Sequence, residues 1–208
     1  MRLWSQSFQQ GDRIPARFAA GRSDPASVVT FSDNLSPPLA WDDVPAGTQS
    51  FALICHDPDV PSRGDDVNQP DREVPPTLPR VDFFHWVLAD LPPALRSVAE
   101  GEFSRGFTAR GKPGPATLHE ARHGLNDYTG WFAGNAEMAG QYHGYDGPFP
   151  PFNDSLLHHY VFTLYALDVT RAAVEGSFTG AELRAAIAGH VLAEARLTGI
   201  YTLNARLA

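Results

Sequence analysis

The chain has 208 residues, a formal net charge of -8 at neutral pH and one cysteine, Cys55. An acidic chain with no block of Lys or Arg lacks the phosphate-neutralising footprint that nucleic acids and anionic lipid surfaces demand. A single cysteine excludes an intrachain disulfide and points to a reducing compartment. No run approaches the ~20 apolar residues that span a bilayer, and the start, MRLWSQSFQQ, lacks the apolar stretch of a signal peptide. The cytoplasm is the expected location, without stable membrane insertion. The chain can bury a full core unaided, and with no repeat, low-complexity tract or linker it reads as one domain over residues 1–208.

Residues 1–35 carry short extended pieces such as Val28 to Phe31, broken by Gly11, Gly21 and Pro25. In SPPLAW, two prolines impose an extended approach to the apolar Trp41. The run from Ser50 to Pro61 is a strong strand. Phe51, Leu53 and Cys55 share one face and Ala52 and Ile54 the other, so both faces are apolar and the strand is central. Cys55 belongs to the core on this pattern. Pro58 is expected to end the strand, with Asp57 and Asp59 at its exit.

Residues 62–82 are polar, contain Pro70, Pro75, Pro76 and Pro79, and show no period; a loop this long is a functional lid or a disordered segment. The next strand alternates Phe83, His85 and Val87 against Phe84, Trp86 and Leu88 until Pro92 and Pro93 end it. Residues 94–140 hold Gly and Pro clusters, a short helix near Leu118, and an aromatic-anchored loop from Asn126 to Asn135.

The stretch from Gly144 to Val169 has two unlike halves. Gly144 to Ser155 is a loop stiffened by Pro148, Pro150 and Pro151. His158 to Leu167 reads as a strand with His158, Tyr160, Phe162 and Leu164 on one face. The last element is a helix opened by a Thr179–Glu182 capping box. Its expected apolar stripe runs through Leu183, Ala186, Ile187, His190, Val191 and Leu197, and Gly199 stops it.

His190 on that stripe is expected to be structural. His85 and His158 differ, because each sits on a strand near Asp57, Asp59 or the proline loop. An Asp that accepts from an imidazole fixes its tautomer, and two imidazoles beside exposed loop N–H groups make an anion site. Such a site is expected to bind more tightly below about pH 6.5, where imidazole gains a proton. His119 to His123 spells H-E-x-x-H, a zinc-hydrolase signature when helical. Arg122 between the two histidines, and Gly114, Pro115 and Gly124 around them, argue against that helix. No nucleophile elbow, phosphate loop or C-x-x-C is present, so no enzyme activity and no cofactor are expected.

SPPLAW, DPDVP, the strand ending in HW, YDGPFPP and HHYVFTLYALD together resemble the phosphatidylethanolamine-binding proteins, in particular their bacterial Raf-kinase-inhibitor-like branch. The resemblance covers most of the chain in the right order. It implies a mainly β fold, with a large central antiparallel sheet packed with a smaller sheet plus a C-terminal helix. It also implies a small pocket for phosphate or a phosphoryl headgroup. Carried over by motif, its residues are Asp57, Pro61, His85, Tyr145, Gly147, Pro148, Pro150, Pro151, His158 and Tyr160. Phe149 stands where the family often has a small residue, and the glycine common after the two prolines is missing; both should narrow the pocket. Residues 62–82 are expected to cover it. The expected partners are a small phosphate-like anion and, by analogy, a kinase or protease that the protein modulates; a homodimer is left open.

Overall fold

The computed structural model describes residues 1–208. Its strands are β1 (Arg2–Trp4), β2 (Gly21–Asp24), β3 (Val28–Phe31), β4 (Leu39–Asp42), β5 (Ser50–Pro61), β6 (Arg80–Leu91), β7 (Ser97–Val98), β8 (Arg122–His123), β9 (His158–Leu167) and β10 (Val191–Tyr201). Two short helices join them, α1 (Tyr128–Trp131) and α2 (Gly180–Ile187). The main sheet has the order β10-β9-β5-β6-β8 and is antiparallel throughout. A second sheet, β1-β4-β7, and the β2-β3 hairpin complete the β structure. The expected mainly β architecture is present, and no helix is long and apolar enough to cross a membrane.

The apolar pattern of β5 places it at the centre of the main sheet. Phe51, Leu53 and Cys55 join Phe162 and Leu164 of β9 and Leu3, Leu39, Trp41 and Val98 of the smaller sheet in one core. Ala52 and Ile54 face the other way, onto Leu183 and Ile187 of α2. The main sheet therefore carries the smaller sheet on one face and α2 on the other, so both faces of β5 must be apolar.

Three expectations about elements are corrected. The strand does not stop at Pro58. It continues to Pro61, because a bulge between Asp57 and Val60 absorbs the two residues that include the proline. The loop after it is accordingly residues 62–79, since Arg80, Val81 and Asp82 already belong to β6.

The strict alternation of β6 also fails. Cys55 pairs with Trp86 but His56 pairs with Phe84, so His85 is the extra residue of a bulge. Trp86 and Leu88 lie in the core beside the smaller sheet, whereas Phe84 and Val87 lie under α2. His85 and Trp86 thus point to the same side, and Val87 to the opposite one.

The third correction is the C-terminal helix. Its capping box is present: Glu182 N–H donates to Thr179 Oγ1 and Thr179 N–H donates to the Glu182 carboxylate. The helix ends at Ile187, and Gly189 at φ +87 turns the chain into β10. His190 is exposed and pairs with Asp168, and Leu197 and Gly199 lie on β10. A Cβ at Gly199 would sit 2.5 Å from Ile14 Cγ1, so this glycine marks a close approach between segments, not a helix end.

His119 to His123 forms no α-helix, although the short helix expected near Leu118 is present as one 3-10 turn. Leu118–Glu120 is a single tight turn with His119 at φ 59, and Arg122 and His123 enter β8. The His119 ring pairs with Glu102, while buried His123 accepts from the Trp86 indole. The two imidazoles do not share a helix face, which removes the geometry a zinc hydrolase would use.

One side chain, Asn153, holds the Asp66–Arg72 part of the 62–79 loop. Asn153 Nδ2 donates to the carbonyls of Asp66, Gln69 and Arg72, and its Oδ1 accepts from Asn68 N–H. Val74, fully buried, bridges to Asp154. Replacing Asn153 with Ala strips these bonds, at roughly 1–3 kcal/mol for carbonyls left without partners. We predict that Asn153→Ala opens residues 64–72 to limited proteolysis; a loop as resistant as that of the wild type would refute the anchoring role.

Candidate ligand-binding site

At one end of the main sheet, β5, β6, β9, α1 and the proline loop enclose a cavity of about 250 Å³. Its floor is Asp57, His85, His158 and Tyr160. Pro61, Pro150 and Pro151 form rigid shoulders, and Phe83, Tyr128, Phe132 and Phe149 form the walls. Phe31 and Trp131, each about half exposed, stand at the mouth.

His85 is placed by the bulge in β6 and by the loop that ends in the prolines. Its Nδ1–H donates to the Asp146 carbonyl over 2.7 Å, and Asp146 N–H returns a bond to the His85 carbonyl. A carbonyl can only accept, so the tautomer is fixed with the proton on Nδ1. Nε2 then carries a lone pair and has no hydrogen-bond partner in the protein. Burial holds the ring's pKa down at about 4, against the opposing pull of Asp57 and the Asp146 carbonyl. His85 is neutral at physiological pH.

His158 is its opposite. Nδ1 donates to Asp57 Oδ2 at 2.6 Å and Nε2 to Asp154 Oδ2 at 3.1 Å, with all three side chains buried. Burial opposes the charge, but the bonds to Asp154 and Asp57 outweigh it and raise the pKa to about 9. Both N–H groups are engaged, so His158 offers no donor to a ligand. The anticipated pair of anion-binding imidazoles is therefore corrected: His158 orients Asp57, and His85 alone has a free ring nitrogen. The anticipated Asp–His85 contact is also replaced, since Asp57 accepts from His158 and Asp59 pairs with exposed His159.

Tyr160 is 1 % exposed, its hydroxyl lies near the Asp57 carboxylate without forming a hydrogen bond of good geometry, and its ring lies 5.1 Å from that of His85. Burial first, and then the Asp57 charge, hold the phenol protonated.

Of the ten residues carried over by motif, seven line the cavity: Asp57, Pro61, His85, Pro150, Pro151, His158 and Tyr160. The other three lie behind it. Tyr145 packs on Trp86 in the core and donates to the Phe18 carbonyl. Gly147 N–H donates to Asn34 Oδ1, and its Cα has no room for a side chain because a Cβ would meet the Phe18 carbonyl at 2.1 Å. The Pro148 carbonyl accepts from Ala20 and Gly21. These three shape the loop without touching the cavity.

The support behind the floor was not anticipated. Asp146, fully buried, accepts from Lys112, Asn34 and Asn126 over 2.6–2.8 Å. Arg80 grips Asp154 with both terminal nitrogens, at 2.6 and 3.0 Å. Asp146 lies inside the YDGPFPP motif, where an acidic residue between loop glycines was a readable signal. Arg80 and Asp154 had none, being separated by 74 positions.

Phe149 walls the cavity without filling it. Its ring stands edge-on to Phe31 and covers Gly21, where a Cβ would approach within 2.4 Å. The 62–79 loop lies beside the mouth and contributes Val67 and Asn68 to the lining.

A β-sandwich with a buried Asp–His pair under a proline-shaped cavity at the end of the main sheet defines a class, and the sequence comparisons name it. Residues 4–202 match the model of the phosphatidylethanolamine-binding protein family, and the chain belongs to that family. It is 31% identical to YbhB of Escherichia coli over 97% of this chain and all of that protein. It is 32% identical to a protein of the same group from Methanothermobacter thermautotrophicus, over 97% and 98% of the two chains. A solved homologue from Chlamydia trachomatis superposes with a TM-score of 0.64 at 29% identity, covering 96% of this chain and 95% of that one. Escherichia coli YbcL, at 22% identity and a TM-score of 0.68 over 97% of each chain, shares the fold.

The two histidines make stability depend on pH in opposite directions. His158 has a folded pKa of about 9 against 6.5 ordinarily. Its contribution, on the order of 3 kcal/mol, is fully present below pH 6.5 and lost as pH rises through 9. His85, at about 4, and His123, held near 3 by burial, resist protonation when folded, so stability falls as pH drops below 6.5. Thermal melts from pH 4 to 10 should give a maximum near pH 6–7, and His158→Gln should flatten the alkaline limb alone. An unchanged alkaline limb in that variant would refute the assignment.

Proposed function

We propose that the protein is a non-enzymatic binding protein whose cavity takes a small oxyanion of phosphate or phosphoryl-headgroup type, with the rest of the ligand against the aromatic walls. The observation that carries this reading is the buried Tyr160 hydroxyl, which approaches the Asp57 carboxylate but makes no well-formed hydrogen bond, beside an imidazole with a free ring nitrogen. An unpaired buried hydroxyl costs roughly 1–3 kcal/mol; a ligand oxygen that meets Tyr160 relieves that cost and also reaches His85 Nε2, which opens into the cavity. Tyr160 donates to the anion. His85 Nε2 accepts from a protonated oxygen of the ligand or, once protonated itself, donates a charge-assisted bond.

The floor is electrically balanced, because the His158 and Arg80 cations match the Asp57 and Asp154 carboxylates. A neutral floor neither repels nor strongly attracts an anion, and few strong bonds are available, so affinity should lie between micromolar and millimolar by order of magnitude. No residue in the cavity stands as a nucleophile beside a base: Cys55 is in the core and burial pushes its thiol up.

On this reading the pH dependence of binding lies lower than the ordinary imidazole range. His158 is already charged at neutral pH, and the free protein's His85 gains its proton only near pH 4. A bound anion raises the His85 pKa, so binding takes up a proton. Sulfate, which does not titrate in this range, should bind up to about tenfold more tightly per pH unit as pH falls toward 4, then level off. His85 and Tyr160 ring signals should move during an NMR titration at pH 5. Rings that stay still at saturating sulfate and methyl phosphate would overturn the oxyanion reading.

A further inference from the structure

We propose that Arg80, which lies outside the cavity, sets the charge of the cavity floor and through it the protein's acceptance of an oxyanion. This inference rests on the oxyanion reading of the same site. The geometry is a buried row of four groups with alternating charge, Arg80, Asp154, His158 and Asp57, running from the root of the 62–79 loop to the floor. Only the last two reach the cavity.

Each member depends on its neighbour. Arg80 holds both oxygens of Asp154, and its remaining bonds go to the carbonyls of Asp59 and Pro75. Asp154, kept ionised, holds His158 Nε2, and His158 in turn holds Asp57. The other Asp57 oxygen accepts from Asp59 N–H. The nearby exposed pair of Asp59 and His159 lies in solvent reach and is screened. No other cation pairs with either carboxylate of the row. Counting the row gives two cations and two anions; without Arg80 it is one cation against two carboxylates, and the floor becomes net negative. At a separation of several ångströms in a partly buried site, one uncompensated charge shifts anion affinity by about ten- to a hundredfold.

Arg80 is in this sense a positioning residue that acts through Asp154 and His158. A purely mechanical role, with Arg80 as an anchor for the loop through Pro75 and Asp59, makes a different prediction, and charge reversal by pairs separates the two. In Arg80→Met the floor carries an extra negative charge. In Arg80→Met combined with Asp154→Asn the row is balanced again, although one more anchoring bond has gone.

The experiment measures sulfate affinity and the His85 imidazole pKa by NMR in the wild-type protein, Arg80→Met, Asp154→Asn and the double variant, with thermal melts to establish folding. His85 is a suitable reporter because it faces Asp57 from β5, His158 and Tyr160 from β9, Tyr128 from α1 and the Asp146 carbonyl. Arg80→Met should weaken sulfate binding by about tenfold or more and raise the His85 pKa. Asp154→Asn should do the reverse, and the double variant should return both towards wild type. A folded Arg80→Met that leaves both readouts unchanged, or a folded double variant no better than Arg80→Met, would overturn the proposal. Absence of sulfate binding by the wild-type protein would overturn the oxyanion reading instead, and the His85 titrations would still decide whether Arg80 sets the floor's charge.

Discussion

The protonated His158 imidazole, held between the buried carboxylates of Asp57 and Asp154, is the contact on which this end of the molecule depends. Three buried ionised groups cost several kcal/mol each to desolvate, and only mutual pairing with good geometry offsets that. The sheet supplies the geometry: β5 delivers Asp57, β9 delivers His158, and the two strands are direct neighbours. Asp154 comes from the turn that leads into β9, and Arg80, from the first residue of β6, completes the charge balance. Removal of one member leaves an uncompensated buried charge, typically at 3–5 kcal/mol. The row therefore locks strand ends, loop root and cavity floor into one arrangement.

A second buried carboxylate plays a parallel part for His85. Burial tends to protonate Asp146, while Lys112, Asn126 and Asn34 oppose that through hydrogen bonds. The result is a loop whose backbone carbonyl meets His85 Nδ1 and fixes its tautomer. The two floor histidines are thus set in opposite protonation states by their partners: a carbonyl and desolvation on one side, two carboxylates on the other. The aromatic walls above them provide apolar contact area without charge. The cavity accordingly combines a small polar floor with a large apolar surround, as expected of a site that orients a ligand by few polar contacts.

Much of the fold was legible because its patterns are local. The two-faced apolar run of Phe51 to Cys55 marked a central strand, the capping box at Thr179 marked the start of α2, and the prolines around Pro150 marked a stiff loop before β9. The failures have a common physical origin. A bulge inserts one residue and reverses the facing of the strand beyond it, so Val87 and Trp86 could not be assigned by alternation. The residues 183–197 fit a helical stripe as far as Ile187; beyond Gly189 the β pairing of β10 with β9 outweighed it. His119 and His123 matched a helical motif in a segment whose glycines and Pro115 do not allow the helix.

The family, the central strands and the neighbourhood of the cavity could all be read from the chain alone, since the motifs and periods that specify them lie within short stretches. The abilities of the floor residues could not, and they emerge only when the chain is folded. Whether an imidazole is a cation or a lone-pair acceptor depends on which groups approach its two nitrogens. Those groups come from positions as far apart as Asp57 and His158, or Arg80 and Asp154, which no local pattern relates. Folding also sets Tyr145, Gly147 and Pro148 behind the cavity and makes Phe149 its wall, because close packing against Phe18, Gly21 and Phe31 fixes where each can go.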